Sequence, residues 1–161
     1  MSTYAPNPFN APLTGDDIHI AVIKTEWNAR ITDALADSCL RTLKTRGVQP
    51  DAVETFTVPG AVELTFAASS IIETGLFDVV IVFGCVIRGG TPHFDYVCQS
   101  VTQGITHLNS DCDIPVIFGV LTVDNEKDAL DRCDGTVADK GAECADTALK
   151  MFTFAQHVKE L

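Results

Sequence analysis

Apolar and polar positions change period at regular intervals along the chain. Ile18-His19-Ile20-Ala21-Val22-Ile23 is nearly all apolar, and Asp78-Val79-Val80-Ile81-Val82-Phe83 is more so. That is how a strand reads when both of its faces are covered, as in a parallel sheet. Val116-Ile117-Phe118-Gly119-Val120-Leu121, entered after Pro115, has the same character, whereas Val53 to Val58 alternates apolar with polar. Between these runs the period becomes helical. Ile31, Leu35, Leu40 and Leu43 recur at helical spacing up to Lys44, closed by Gly47. Pro59-Gly60 breaks the second strand, and Ala61 to Thr74 predicts a helix stopped by Gly75. Further helices are predicted from about Phe94 to Leu108, from Asn125 to Arg132, and from about Gly141 to Val158. Strands and helices alternate throughout, so the expected fold is α/β, a parallel sheet with helices on both faces.

Such sheets bind ligands beyond the carboxyl ends of their strands. The loops there carry Trp27, then Pro59-Gly60-Ala61-Val62-Glu63, then Cys85 to His93, then Thr122 onward. The third is the richest. After the central strand come Arg88-Gly89-Gly90-Thr91-Pro92-His93, two glycines, a threonine and a basic residue ahead of a proline suited to a helix's first turn. Free backbone N–H groups in such a turn, next to a helix N-terminus, make an anion site. His93 at its rim is placed to pass a proton. An ordinary turn with a solvent-facing histidine has the same spacing.

Composition narrows the choices. The 161 residues suit one domain, read as residues 18–161 after an extended arm over residues 1–17 that carries Pro6, Pro8 and Pro12. A hydrophobic fraction of 46% against 20% charged residues argues for a packed core. The net charge of −11 argues against nucleic-acid or anionic-membrane partners and leaves room for a small anion. No run is long enough to span a membrane, and the start lacks a signal-peptide pattern. The six cysteines form no C-x-x-C pair, so reduced thiols in the cytoplasm are expected, with no zinc site or other metal.

Three motifs together resemble lumazine synthase: Val58-Pro59-Gly60-Ala61-Val62-Glu63-Leu64, the stretch Gly84 to Tyr96, and Pro115 to Thr122. The resemblance runs from Ile18 to Met151, in order and at matching separations. It implies a flavodoxin-like three-layer α/β/α sandwich with a central four-stranded parallel sheet. It also implies an enzyme of riboflavin biosynthesis, a transferase that uses no cofactor. Such an enzyme condenses 5-amino-6-(D-ribitylamino)uracil with 3,4-dihydroxy-2-butanone 4-phosphate and releases phosphate and water. Imine formation, phosphate loss, ring closure and dehydration chiefly need two reactants held together and protons moved.

By that resemblance Trp27 stacks on the pyrimidine ring, in a position often held by phenylalanine, with tryptophan in some fungal members. Ala61, Val62 and Glu63 hold the ribitylaminouracil, with Glu63 accepting hydroxyl hydrogen bonds, and Cys85, Val86 and Ile87 lie along the pyrimidine. Phe118 closes that pocket from a neighbouring subunit. Gly90, Thr91, Arg132 and Lys140 bind phosphate, and His93 shuttles the proton. Read alone, Phe118 and Cys85 to Ile87 are core, Glu63 complements a helix dipole, and Arg132 ends a short exposed helix. Arg88 is expected to support the turn. The resemblance also implies a homo-oligomer with shared sites, a pentamer or a shell of twelve pentamers, acting on small-molecule substrates. The alternatives are an archaeal-type riboflavin synthase and a flavin- or lumazine-binding or shell protein with lapsed catalysis.

Overall fold

The structure, a computed structural model, describes residues 17–161, so the arm expected over residues 1–17 lies outside the described residues except at Asp17. Strands β1 (Ile20–Thr25), β2 (Val53–Val58), β3 (Val79–Ile87) and β4 (Val116–Val123) form one parallel sheet in the order β2-β1-β3-β4. Ile20 stands opposite Val53 on one side and Val79 on the other, and Val80 stands opposite Val116. The helices are α1 (Ala29–Thr45), α2 (Glu63–Glu73), α3 (His93–Asp111), α4 (Glu126–Leu130) and α5 (Lys140–Lys159).

The two faces of the sheet bury separate cores. Ile20, Val22, Ile81 and Phe83 pack with Leu35, Cys39 and Leu149 of α1 and α5. Ala21, Ile23, Val80 and Val82 pack with Leu64, Ala68, Val101 and Ile105 of α2 and α3. Successive residues of β1 and β3 therefore alternate between two apolar layers, which is why these strands carry no polar face. Burying one such aliphatic side chain is worth about 1.5–3 kcal/mol relative to leaving it exposed. The α/β/α sandwich expected from the sequence is the architecture found.

Element ends differ from the sequence expectation in informative places. β3 continues past Phe83 through Gly84-Cys85-Val86-Ile87, because that segment stays paired with Val120 to Val123 of β4. Gly84 belongs there for a packing reason: a Cβ would lie 3.2 Å from Leu64 Cδ1. Helix α2 begins at Glu63 rather than Ala61, after a turn in which Glu63 N–H donates to Gly60 O. β1 begins at Ile20 rather than Ile18, since His19 N–H is taken by the Asp78 carboxylate at 2.8 Å. A 3-10 turn at Pro50–Ala52 had no signal in the periodicity.

All six cysteines are free, and Cys39, Cys85, Cys133 and Cys144 are buried. Burial pushes the Cys85 and Cys144 thiols up to about 12 and raises Cys39 as well. No helix among the described residues is long and apolar enough to cross a membrane.

Candidate active site

The first wall of the site is a loop with little freedom. Beyond the end of β1, Glu26 N–H donates to Val58 O at 2.8 Å and Trp27 N–H to Pro59 O at 3.0 Å, so pairing with the β2 side continues past the strands. Thr25 Oγ1 donates to Trp27 O, and the buried Thr32 hydroxyl donates to Thr25 O at 2.7 Å. Asn28 follows at φ 58, ψ 42, the one positive-φ residue other than glycine among the described residues. Asparagine tolerates this left-handed conformation better than most residues. Its Nδ2 reaches across to Cys85 O at 2.8 Å and ties the loop to β3. On this pinned backbone the Trp27 side chain is 74% exposed. The indole ring is thus bare to solvent on a backbone held in place.

The second wall is the turn between β2 and α2. Ala61 is buried, while Val62 and Glu63 are exposed. Glu63 is the first residue of α2, where a carboxylate complements the helix dipole. Its side chain folds back over Gly60, and a Cβ at Gly60 would stand 3.2 Å from Glu63 Oε2.

The third wall is the turn between β3 and α3. Arg88 clasps its two ends. The Arg88 N–H donates to Val123 O, its Nε donates to Asp124 at 2.9 Å, and its Nη1 lies 3.4 Å from Asp95 in the first turn of α3. The guanidinium also sits 4.1 Å from the centroid of the Phe94 ring. Within this clasp Gly89 and Gly90 are exposed, and a Cβ at either would meet nothing within 4 Å. Thr91 Oγ1 accepts from His93 N–H at 3.4 Å, and His93, exposed, opens α3.

These walls enclose a cleft of about 560 Å³. That volume is in the range of small-molecule sites. Trp27, Ala61, Val62, Glu63, Val86, Ile87, Thr91 and His93 all line it, and Gly90 lies in the turn between the lining residues Gly89 and Thr91. Cys85 does not line it; its thiol is buried behind, and its carbonyl holds Asn28. Asn28, Phe94 and Val97 line the cleft and were not singled out from the sequence. Phe94 and Val97 flank His93 on the first turns of α3, so helical spacing from His93 was the available signal.

Phe118, Arg132 and Lys140 are not among the residues lining this cleft. Phe118 lies on β4, an edge strand, 41% exposed, and shares with Lys140 a separate hollow of about 380 Å³ along β4 and α5. Lys140 Nζ is paired with Glu143 Oε2 at 2.6 Å. Arg132 follows α4, donates from Nη1 to Asp128 O at 2.7 Å, and accepts at its carbonyl from Lys140 N–H at 2.9 Å.

The sequence is similar to one family of known proteins along most of its length. The profile of the 6,7-dimethyl-8-ribityllumazine synthase family matches residues 17–156. The 6,7-dimethyl-8-ribityllumazine synthase of Bacteroides fragilis (strain YCH46) is 49% identical over 133 residues, 83% of this chain and 93% of that protein. The enzyme of the same name from Parabacteroides distasonis is 48% identical over 147 residues, covering 91% and 92% of the two chains. That from Phocaeicola vulgatus is 43% identical over 152 residues, covering 94% and 90%. The profile and these relatives cover nearly the whole described chain, and the chain belongs to the 6,7-dimethyl-8-ribityllumazine synthase family.

Proposed function

We propose that the cleft binds 5-amino-6-(D-ribitylamino)uracil and that the turn above it receives 3,4-dihydroxy-2-butanone 4-phosphate. Condensation there yields 6,7-dimethyl-8-ribityllumazine, phosphate and water. The observation that carries this reading is the convergence of Trp27, Glu63 and His93 on one cleft from three separate loops. Trp27 offers its exposed face to the pyrimidine, Val86 and Ile87 line the ring's edge, and Glu63 accepts from ribityl hydroxyls. Gly90 and Thr91 present backbone and hydroxyl donors to the phosphate. The open space around Gly89 and Gly90 supports this, because nothing within the chain requires them to lack a side chain. His93 relays protons between the reacting amine, the carbonyl oxygen and the departing groups.

Phe118, Arg132 and Lys140 take their places from an adjacent subunit, Phe118 over the pyrimidine and the two cations on the phosphate. Their position away from the chain's own cleft, with Phe118 exposed on a sheet edge, supports a shared site. The assembly is a homopentamer, and a shell of twelve pentamers is the larger form to distinguish by mass in solution. The six free thiols suit the cytoplasm.

The test is to mix the protein with both substrates and follow lumazine absorbance and fluorescence against a protein-free control. Faster product formation supports the reading. A rate equal to the control overturns it and leaves flavin or lumazine binding through Trp27.

A further inference from the structure

Ser38 puts a hydroxyl on the buried face of α1, only 2% exposed, beside the core residues Leu35 and Cys39. A hydroxyl at such depth requires a partner. It finds one 101 positions away: Ser38 Oγ donates into the Asp139 carboxylate, 2.6 and 2.7 Å from its two oxygens. The same carboxylate accepts from Ala142 N–H at 3.0 Å and so caps α5. One residue on, Lys140 N–H donates to Arg132 O at 2.9 Å. Gly141 then presses on α1, where a Cβ would fall 2.3 Å from Leu35 O and 2.8 Å from Ser38 Cβ. The first turn of α5 is thus held against α1 by the Ser38–Asp139 pair and by the close approach of Gly141, and the Lys140–Arg132 bond ties the backbone of Arg132 to that turn.

We propose that Ser38 and Asp139 are positioning residues for phosphate recognition. They hold the first turn of α5, and with it Lys140 and the backbone of Arg132, in the geometry that grips the phosphorylated substrate. The inference rests on the assignment of Arg132 and Lys140 to the phosphate. Ser38 and Asp139 act through those two cations rather than on the substrate.

Ser38→Ala removes the donor and leaves the Asp139 cap on Ala142 in place. In steady-state kinetics on the full chain, it raises KM for 3,4-dihydroxy-2-butanone 4-phosphate, and Ki for inorganic phosphate, roughly tenfold. The KM for the ribitylaminouracil and kcat at saturation stay within about twofold. Asp139→Ala acts in the same direction, while Asp139→Asn keeps an acceptor for both donors and restores the phosphate constants. A lower melting temperature with unaltered phosphate constants, or a loss confined to kcat, overturns the proposal and leaves a purely structural clamp. Arg132→Ala is the control on the underlying assignment. If it leaves both phosphate constants unchanged, the assignment fails and the inference with it. If it raises them while Ser38→Ala does not, the inference alone fails.

Discussion

Trp27, Glu63 and His93 stand in the loops that follow β1, β2 and β3, three neighbouring strands, and face one cleft. Phe118, Arg132 and Lys140 stand on β4, after α4 and at the start of α5, and line none of it. Parallel strands explain the first group, since adjacent strands end on the same side and their loops meet without any long-range contrivance. The second group begins at a sheet edge. No strand lies beyond β4 among the described residues, and Phe118 on that strand is 41% exposed. One region is an open cleft; the other sets an exposed aromatic ring and two cations outside it, with Phe118 and Lys140 along the smaller hollow between β4 and α5. The shared-site proposal joins them through a second copy of the chain.

Mixing two impaired variants is the sharpest way to break that comparison. His93→Ala lowers kcat by about 10²–10⁴-fold, the usual worth of a positioned proton relay, and leaves the fold intact because His93 is exposed. Arg132→Ala weakens use of the phosphorylated substrate. If sites are shared, co-assembling the two variants after dissociation restores about a quarter of the sites, those pairing an intact cleft with an intact Arg132. No recovery in mixed assemblies would place both groups in one chain's site.

A smaller effect separates the cleft face from the layer behind it. The thiols of Cys39, Cys85 and Cys144 lie in the core between the sheet and the α1 and α5 layer, and burial raises each above its usual value of 9.0. Above pH 9 the unfolded chain releases these protons while the folded chain keeps them, so the unfolded state binds fewer and stability falls as pH rises. Each fully shifted thiol contributes about 1.4 kcal/mol per pH unit until its folded-state value is reached. Urea midpoints measured from pH 8 to 11 should fall, and replacing the three thiols with alanine should flatten the slope. An unchanged slope in that variant would assign the alkaline loss to other groups.

Trp27→Ala should raise KM for the ribitylaminouracil roughly tenfold, with Trp27→Phe intermediate, as ring stacking predicts. An unaltered KM would remove the ring from the pyrimidine contact. Two glycines make the smallest contrast. At Gly119, in β4, a Cβ would come within 2.7 Å of Val82 O, so Gly119→Ala costs about 1–3 kcal/mol of stability. At Gly90 a Cβ meets nothing within 4 Å, so Gly90→Ala leaves stability unchanged and raises only the phosphate-substrate KM. Thermal melts and kinetics on the pair test both halves.

The sequence alone determined the layers and which loops gather at the cleft. Runs such as Val79 to Phe83 are readable because burial on both faces leaves a local mark, and the order of strands and helices then fixes which loops converge. Trp27, Glu63 and His93 followed from that. Other features depend on partners far along the chain: Asn28 on Cys85, Arg88 on Asp124, and Ser38 on Asp139, at separations of 57, 36 and 101 residues. A buried serine on a helix face gives no hint of its partner, because that is set by where α1 and α5 cross. Periodicity is a property of neighbouring residues; which distant side chains meet, and which face away from the cleft, is decided by packing in three dimensions.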